Sequence, residues 1–586
     1  MMFLATTALS SFWDENQKIL YLGPWCLLQK HKQTWESLDY QIMPSPWRDR
    51  EAYYEAGLYS YKTYHYLLDK LGDYLNKTHA VKYGKRFWQI VIGAWLLDFT
   101  GAFYDRYTCI KQAFANHYPF ETIVLDEKNY VTPFDTGDFF DLYYGDFYNL
   151  QLYSQILNGL RTGVFPEKEL TFEHGLSSRM KTRNLRYFVK KLVYKGTRYA
   201  STKSPVVLWN IYLPTRLLSR LVIQTRFLSF PVLFSDSFSP VDADPQDYRR
   251  LGLRDIEPAD DFTDLLIKTL PVNFPSLYLE GFDAAVKDSA VIFKNAPKVL
   301  MTTVGWYSDE RFKFVAAHCS ERGTIMCGAQ HGGLYGTAKW MSPEKHEIEL
   351  SDRYYTWGWT MANAPSVTPL PNPKLSNLLR SRNSSVSSKP YIFVLTSHPR
   401  YLYHFFSCPV GETFEEYVNS RNVFLGRLKE ENRNRVTVRF YMSDYGRNEK
   451  ERLRRQFPTL DFDDGKTGFL AKLGEIQLAI IDHPVTTMLE SLAANIPTIL
   501  FWEPRYWELR PEADPFFENL ADAHIWHKSP GAAADFLNEI SDNVDRWWGD
   551  PSTQRARQQF VNEFALTTED WPKVWRHEMQ RLVRSV

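Results

Sequence analysis

The chain has 586 residues, 44% hydrophobic, 24% charged and 16% aromatic, with 69 Lys+Arg balancing 69 Asp+Glu. That length accommodates two or three domains with large cores, and the composition excludes wholesale disorder, a collagen-like chain and a coiled-coil rod. Zero net charge excludes a globally basic nucleic-acid binder, but the balance is uneven: residues 175–235 hold twelve Lys/Arg and no Asp or Glu, so the rest carries about −12.

Two short apolar runs, 3–9 and 19–23, read as buried strands, with turn chemistry at Gly23-Pro24. From 48 to 117 the pattern is helical and aromatic; Tyr53, Tyr54, Tyr61, Tyr64, Tyr66 and Trp88 are expected between long helices. The longest apolar stretch, 87–104, is broken by Gln89 and Asp98 and falls short of the ~20 residues a spanning helix needs. The N-terminus lacks the basic n-region and cleavage site of a signal peptide. Five scattered cysteines (Cys26, Cys109, Cys319, Cys327, Cys408) without a CxxC pair suggest neither a disulfide framework nor a thiolate zinc site. They fit a reducing cytoplasm, with the protein soluble or peripheral on the inner face of the membrane.

A helix is expected over 138–160, followed by the basic window and an apolar-basic stretch at 205–230. Further on, 299–304 reads as a strand, 309–322 as a helix and 324–329 as a strand ending in Gln330-His331-Gly332-Gly333. Prolines 365, 369, 371 and 373, then serines 381, 384, 385, 387 and 388, mark 361–390 as a linker. Beyond it, strands at 391–396, 436–442, 459–462, 477–482 and 498–501 alternate with helices near 412–430, 447–457, 466–474 and 487–494. That alternation predicts a parallel doubly wound sheet, whose ligands bind at the carboxyl ends of its strands.

Those strand ends select the candidate residues. After 477–482 comes His483-Pro484-Val485-Thr486-Thr487, running into a helix. Thr487 and Glu490 have the spacing of a capping box. The same helix N-terminus, with the Thr486 and Thr487 hydroxyls and His483, would cradle a phosphate. After 391–396 come Ser397, His398 and Arg400, whose guanidinium suits an anion or a surface turn. Arg439 sits inside a strand, where a charge must be paired or face a cleft. Asp463 and Asp464 read as turn residues before Gly465, and no cluster with metal-ligand spacing accompanies them. Neither GxGxxG nor GxxxxGK[ST] occurs at a strand-to-helix turn. In the first half, His331 stands in a loop with three glycines in seven residues, where backbone can approach a ligand, and is the natural base. Glu280 and Asp309 are carboxylate candidates near the same strand ends. In the basic window, Tyr187, Phe188, Tyr194, Tyr199, Trp209 and Tyr212 interleave with the cations; this suits an anionic membrane, a lipid-diphosphate acceptor or a polyanionic glycan, and no nucleic-acid motif accompanies it.

Taken together, Leu4-Ala5-Thr6-Thr7-Ala8-Leu9, Tyr21-Leu22-Gly23-Pro24-Trp25-Cys26, the 330–336 loop, 354–359 and 486–498 resemble a family of bacterial transferases associated with surface-polysaccharide biosynthesis. More distantly, the chain is similar to two-domain GT-B glycosyltransferases that use CMP-activated 3-deoxy-ulosonic acids such as Kdo, sialic or pseudaminic acid. The resemblance implies two Rossmann-like α/β domains, the first enlarged by helical insertions. The expected layout is an acceptor domain at 1–365, a linker at 366–390, a nucleotide domain at 391–545, and helices at 546–586 packing back on the first. It implies a His-Pro pair at the nucleotide, for which His398 and His483 are candidates and His483 is favoured. An acidic-acidic-Gly base motif is matched by Asp463-Asp464-Gly465 only in letters, and in the wrong domain.

The resulting expectation is a glycosyltransferase without a resident cofactor or metal. A nucleotide-sugar donor would be held by Ser397, Arg400, Arg439, His483, Thr486, Thr487 and Glu490. His331 would act as base toward a glycan or lipid-linked acceptor, or Glu280 or Asp309 as nucleophile if configuration is retained. A polyol-phosphate transferase and a non-catalytic glycan-binding protein are the alternatives.

Overall fold

The computed structural model describes residues 1–160, 165–170, 185–235, 237–378 and 390–585, apart from the side chains of 185–188 and 308. Part of the basic window, with Tyr187 and Phe188, and most of the serine-rich stretch therefore lie outside the description.

The chain opens with a four-stranded parallel sheet in the order Tyr40–Ile42, Lys18–Tyr21, Met2–Ala5, Phe120–Glu121. Between its third and fourth strands in sequence run two long helices, Arg50–Thr78 and Lys85–His117. Asp49 starts the first by accepting the amides of Glu51 and Ala52. In the second, every residue from Phe87 to Phe103 is buried, so the 87–104 run is a core pillar, apolar all round because protein surrounds it. Its Asp98 pairs with His404 at 3.1 Å. Among the described residues, no helix is long and apolar enough to cross a membrane.

Two six-stranded parallel sheets follow. The first has the order Val367–Pro369, Arg353–Thr356, Ile325–Ala329, Val299–Thr302, Val206–Trp209, Ser229–Val232. The second has the order Asp461–Phe462, Val436–Arg439, Tyr391–Val394, Leu478–Ile481, Thr498–Phe501, Trp526–His527. In the second, the chain builds outward to one side of Tyr391–Val394 and then to the other, which creates a switch point beside Leu478–Ile481. The α/β class with two Rossmann-like sheets is as expected, and the N-terminal half is enlarged by helices and by the additional four-stranded sheet. The stretch expected as a linker begins as regular structure: Val367–Pro369 is an edge strand and Pro373–Ser376 a short helix capped by Asn372. At the C-terminus, helix Pro551–Phe564 packs into the core of the second sheet. The last helix, Trp571–Arg584, crosses to the first and buries Trp571, Trp575 and Met579 with Val206, Leu208 and Leu217.

Candidate active site

The carboxyl ends of the two six-stranded sheets line a single cleft of about 1020 Å³. Its walls bring together His331, Arg439, His483, Thr486, Thr487 and Glu490, with Tyr212, Lys374 and Lys450 beside them.

The second sheet contributes a helix N-terminus backed by buried charge. Asp482, 1% exposed, accepts from His483 Nδ1 at 2.7 Å and from Arg421 Nε at 2.6 Å. Burial pushes this carboxyl up, but Arg421 and His483 outweigh it and hold it below the ordinary value, so it is an anion. Arg421 also pairs with Glu449, which accepts the Ser397 hydroxyl at 2.8 Å. The network assigns the proton of neutral His483 to Nδ1, and Nε2 then accepts the Thr487 hydroxyl at 2.9 Å. Helix Thr486–Ala493 begins after Val485 with no side-chain cap, so its first amides and positive dipole end open on the cleft. The expected capping box is therefore absent: the Thr487 hydroxyl is taken by His483, and Glu490 turns away to Lys374 Nζ at 2.7 Å. Burial raises the Glu490 carboxyl, with Lys374 offsetting part of the effect. Arg439 pairs with Asp463 at 3.0 Å, and Lys472 takes the same carboxylate oxygen at 2.7 Å.

The first sheet contributes His331, just beyond strand Ile325–Ala329. Glu347, fully buried on helix Ser342–Leu350, accepts the Tyr335 hydroxyl at 2.7 Å and the Tyr354 hydroxyl at 2.8 Å, and lies 3.1 Å from His331 Nε2. Because Tyr335 gives its proton to Glu347, Nε2 of His331 is the protonated nitrogen, and the Nδ1 lone pair is the one that can meet a ligand. The glycines after His331 bring backbone close to the opposite wall rather than to a ligand. The Gly333 amide donates to Thr486 Oγ1 at 2.9 Å, and a Cβ at Gly333 would lie 2.4 Å from the Val485 carbonyl carbon and 2.5 Å from the Thr486 nitrogen. Gly336 has φ +76° against the Trp359 indole, a position that favours glycine.

Four expected site residues lie elsewhere. Glu280 holds the fully buried Arg250 through both carboxylate oxygens, at 2.8 and 2.6 Å, and compensates that charge. Asp309 caps helix Glu310–Ser320 through the Phe312 amide at 2.9 Å and accepts from Asn210 and Ser235; burial raises its carboxyl. Arg400 is spent in the seam toward the four-stranded sheet, on Asp146 at 2.6 Å and the carbonyls of Tyr445 and Trp25. Ser397 stands behind the cleft wall, on Glu449. Of the two His-Pro pairs, His398 lines a separate small cavity and His483 the cleft. In the basic window, Tyr194 and Trp209 are buried, while Tyr199 and Tyr212 are exposed. Sequence reasoning missed Glu347, which sits on a helix with no motif, and Lys374, hidden in the proline-rich stretch. It also missed Asp482 and Arg421, although an acid directly before His483 was the visible signal.

Several solved structures are similar to parts of this chain at low identity. An α,α-trehalose-phosphate synthase (UDP-forming) from Burkholderia vietnamiensis is 10% identical, covering 65% of this chain and 98% of its own, with a TM-score of 0.33. A variant of the wall teichoic acid polymerase TagF is 9% identical, covering 71% and 99%, at 0.30. WaaG, a glycosyltransferase involved in lipopolysaccharide biosynthesis, is 12% identical, covering 64% and 99%, at 0.28. A comparison with curated proteins gives no match. The model of the LIC12162 family transferases matches residues 2–579, nearly the whole chain, and the protein belongs to that family.

Proposed function

We propose that this transferase is a glycosyltransferase that moves a sugar from a nucleotide donor to a hydroxyl of a glycan or lipid-linked acceptor. The observation that carries the reading is the pairing, on one cleft, of an uncapped helix N-terminus beside His483 with the Glu347-backed His331. The first suits the donor phosphate and the second suits an acceptor hydroxyl. The acceptor oxygen bonds to the anomeric carbon as the sugar–phosphate bond breaks. His331 Nδ1 takes the acceptor proton, and Glu347 stabilises the resulting imidazolium. The bond electrons leave on the phosphate, where the Thr486 and Thr487 amides are aimed, and the Thr486 hydroxyl, whose oxygen accepts the Gly333 amide, keeps its proton for the same phosphate. Arg439 and Lys472 share the single Asp463 carboxylate and so leave net positive charge at the rim, whereas Lys374 is offset by Glu490. With Glu280 and Asp309 committed elsewhere, direct inverting displacement is favoured over a carboxylate nucleophile.

For the donor we propose a CMP-activated 3-deoxy-ulosonic acid, on the strength of the sequence resemblance, with a surface polysaccharide as the product. Five free, buried cysteines suit a cytoplasmic setting. A thermal-shift screen of CMP, UDP, GDP and ADP followed by CMP-sugars tests this, because a ligand that binds the folded state stabilises it. Stabilisation by CMP, and CMP release coupled to sugar transfer, is expected. Stabilisation by another nucleotide overturns the donor assignment, and transfer of the phosphate along with the donated group would instead make the protein a polyol-phosphate transferase.

A further inference from the structure

We infer that the face formed by helix Leu185–Ser201 and edge strand Ser229–Val232 docks on an anionic lipid surface, beside the cleft mouth. It rests on the proposed transfer only for its purpose, delivery of a lipid-linked acceptor.

The helix buries Tyr194 and Ser201 against the body. Its opposite side presents Val189, Leu192, Gly196 and Tyr199, at steps of three and four residues that keep them on one stripe. Val189 is 52% exposed, Leu192 72% and Tyr199 66%. The water-facing stripe of a helix is ordinarily polar; here it is apolar, with Lys191 and Lys195 alongside, the pattern of a helix lying in a membrane interface. Phe227 and Phe234 bracket the edge strand. Both are exposed, and both have left-handed backbones (φ +60° and +66°), which bulky residues avoid unless the position is held for a reason. Seven of the seventeen exposed large apolar side chains among the described residues fall between Val189 and Phe234, and five of them, Val189, Leu192, Tyr199, Phe227 and Phe234, lie on this helix or beside its edge strand.

Charge selects the occupant. Residues 185–235 carry nine Lys/Arg and no acid, which complements anionic headgroups and would make a second copy of this face repel it. Pro231, with no amide proton, weakens the edge strand as a template for another strand. The face adjoins the cleft: Tyr212, in the loop after strand Val206–Trp209, is exposed and lines the cleft, the loops after this strand and the edge strand meet where Asn210 and Ser235 both donate to Asp309, and Lys190 Nζ lies 5.2 Å from the Phe234 ring centroid.

The test is sedimentation of the full chain with phosphatidylglycerol/phosphatidylcholine vesicles and with phosphatidylcholine alone, across a salt series. Binding to the anionic vesicles that weakens as salt rises is expected. A Leu192→Ser/Tyr199→Ser variant keeps every charge and should lose about tenfold in partitioning with an unchanged thermal midpoint, since both side chains are exposed. No binding to anionic vesicles, or equal binding by the variant, overturns the proposal. So does a concentration-dependent dimer that the variant abolishes, which would make a second copy the occupant. Donor binding is read separately by thermal shift, so vesicle binding without nucleotide binding would count against the transferase mechanism alone.

Discussion

His331 and His483 come from opposite walls of one cleft, each beside a buried carboxylate, yet they are wired in opposite senses. His331 turns its protonated Nε2 inward to Glu347 and keeps a lone pair for the cleft. His483, buried in the cleft wall, holds Asp482 through Nδ1 and spends its Nε2 lone pair on the Thr487 hydroxyl. Under the proposed transfer this difference is a division of labour: a basic nitrogen where the acceptor would lose a proton, and fixed donors where the phosphate would gain stabilisation. It also shows two ways to support a histidine. Glu347 is surrounded by tyrosine hydroxyls, whereas Asp482 is embedded in an ion network with Arg421 and Glu449.

The comparison breaks most severely at the base. His331→Asn should lower kcat by about 10²–10⁴-fold, the usual range for removing a general base, measured under donor saturation. Next in size is the support of the other histidine. Arg421→Met strands two buried carboxylates and should cost about 3–5 kcal/mol of stability in denaturant titration; a loss below about 1 kcal/mol would show that the network is dispensable. A histidine outside the cleft provides a reference. Burial holds His346 down at about 4 from 6.5, so between those values the unfolded chain binds a proton that the folded chain does not. Its contribution is therefore present above pH 6.5 and lost as pH falls toward 4, by roughly 3 kcal/mol, and His346→Gln should flatten that acid limb of the thermal midpoint. The smallest effect concerns the contact between the walls. Gly333→Ala places a methyl against the Val485–Thr486 backbone and should cost about 1–3 kcal/mol, with weaker donor binding as the helix N-terminus shifts.

The second sheet was legible as a parallel doubly wound sheet because most of its strands are apolar runs separated by helices, whereas its strand order appears only in the structure. The strands Arg353–Thr356, Val367–Pro369 and Trp526–His527 escaped, being short and flanked by tryptophan or proline. Thr486, Thr487 and His483 could be chosen because strand-end loops that enter a helix carry their function locally. Arg400 and Asp309 looked equivalent in sequence, but partners that settle them lie far along the chain: Asp146 for one, Asn210 and Ser235 for the other. Glu347 was invisible for the same reason, since its link to His331 exists only after helix Ser342–Leu350 packs under the loop.

The central claim, that one wall holds the donor phosphate and the other activates the acceptor, is tested most directly by measuring donor Kd and kcat for His331→Asn and Thr486→Val side by side. The account predicts that His331→Asn leaves Kd nearly unchanged while kcat collapses, and that Thr486→Val weakens donor binding by about tenfold or more through loss of one hydrogen bond to a charged group. Equal losses of donor affinity in both variants, or a Thr486→Val enzyme that binds donor normally, would contradict it.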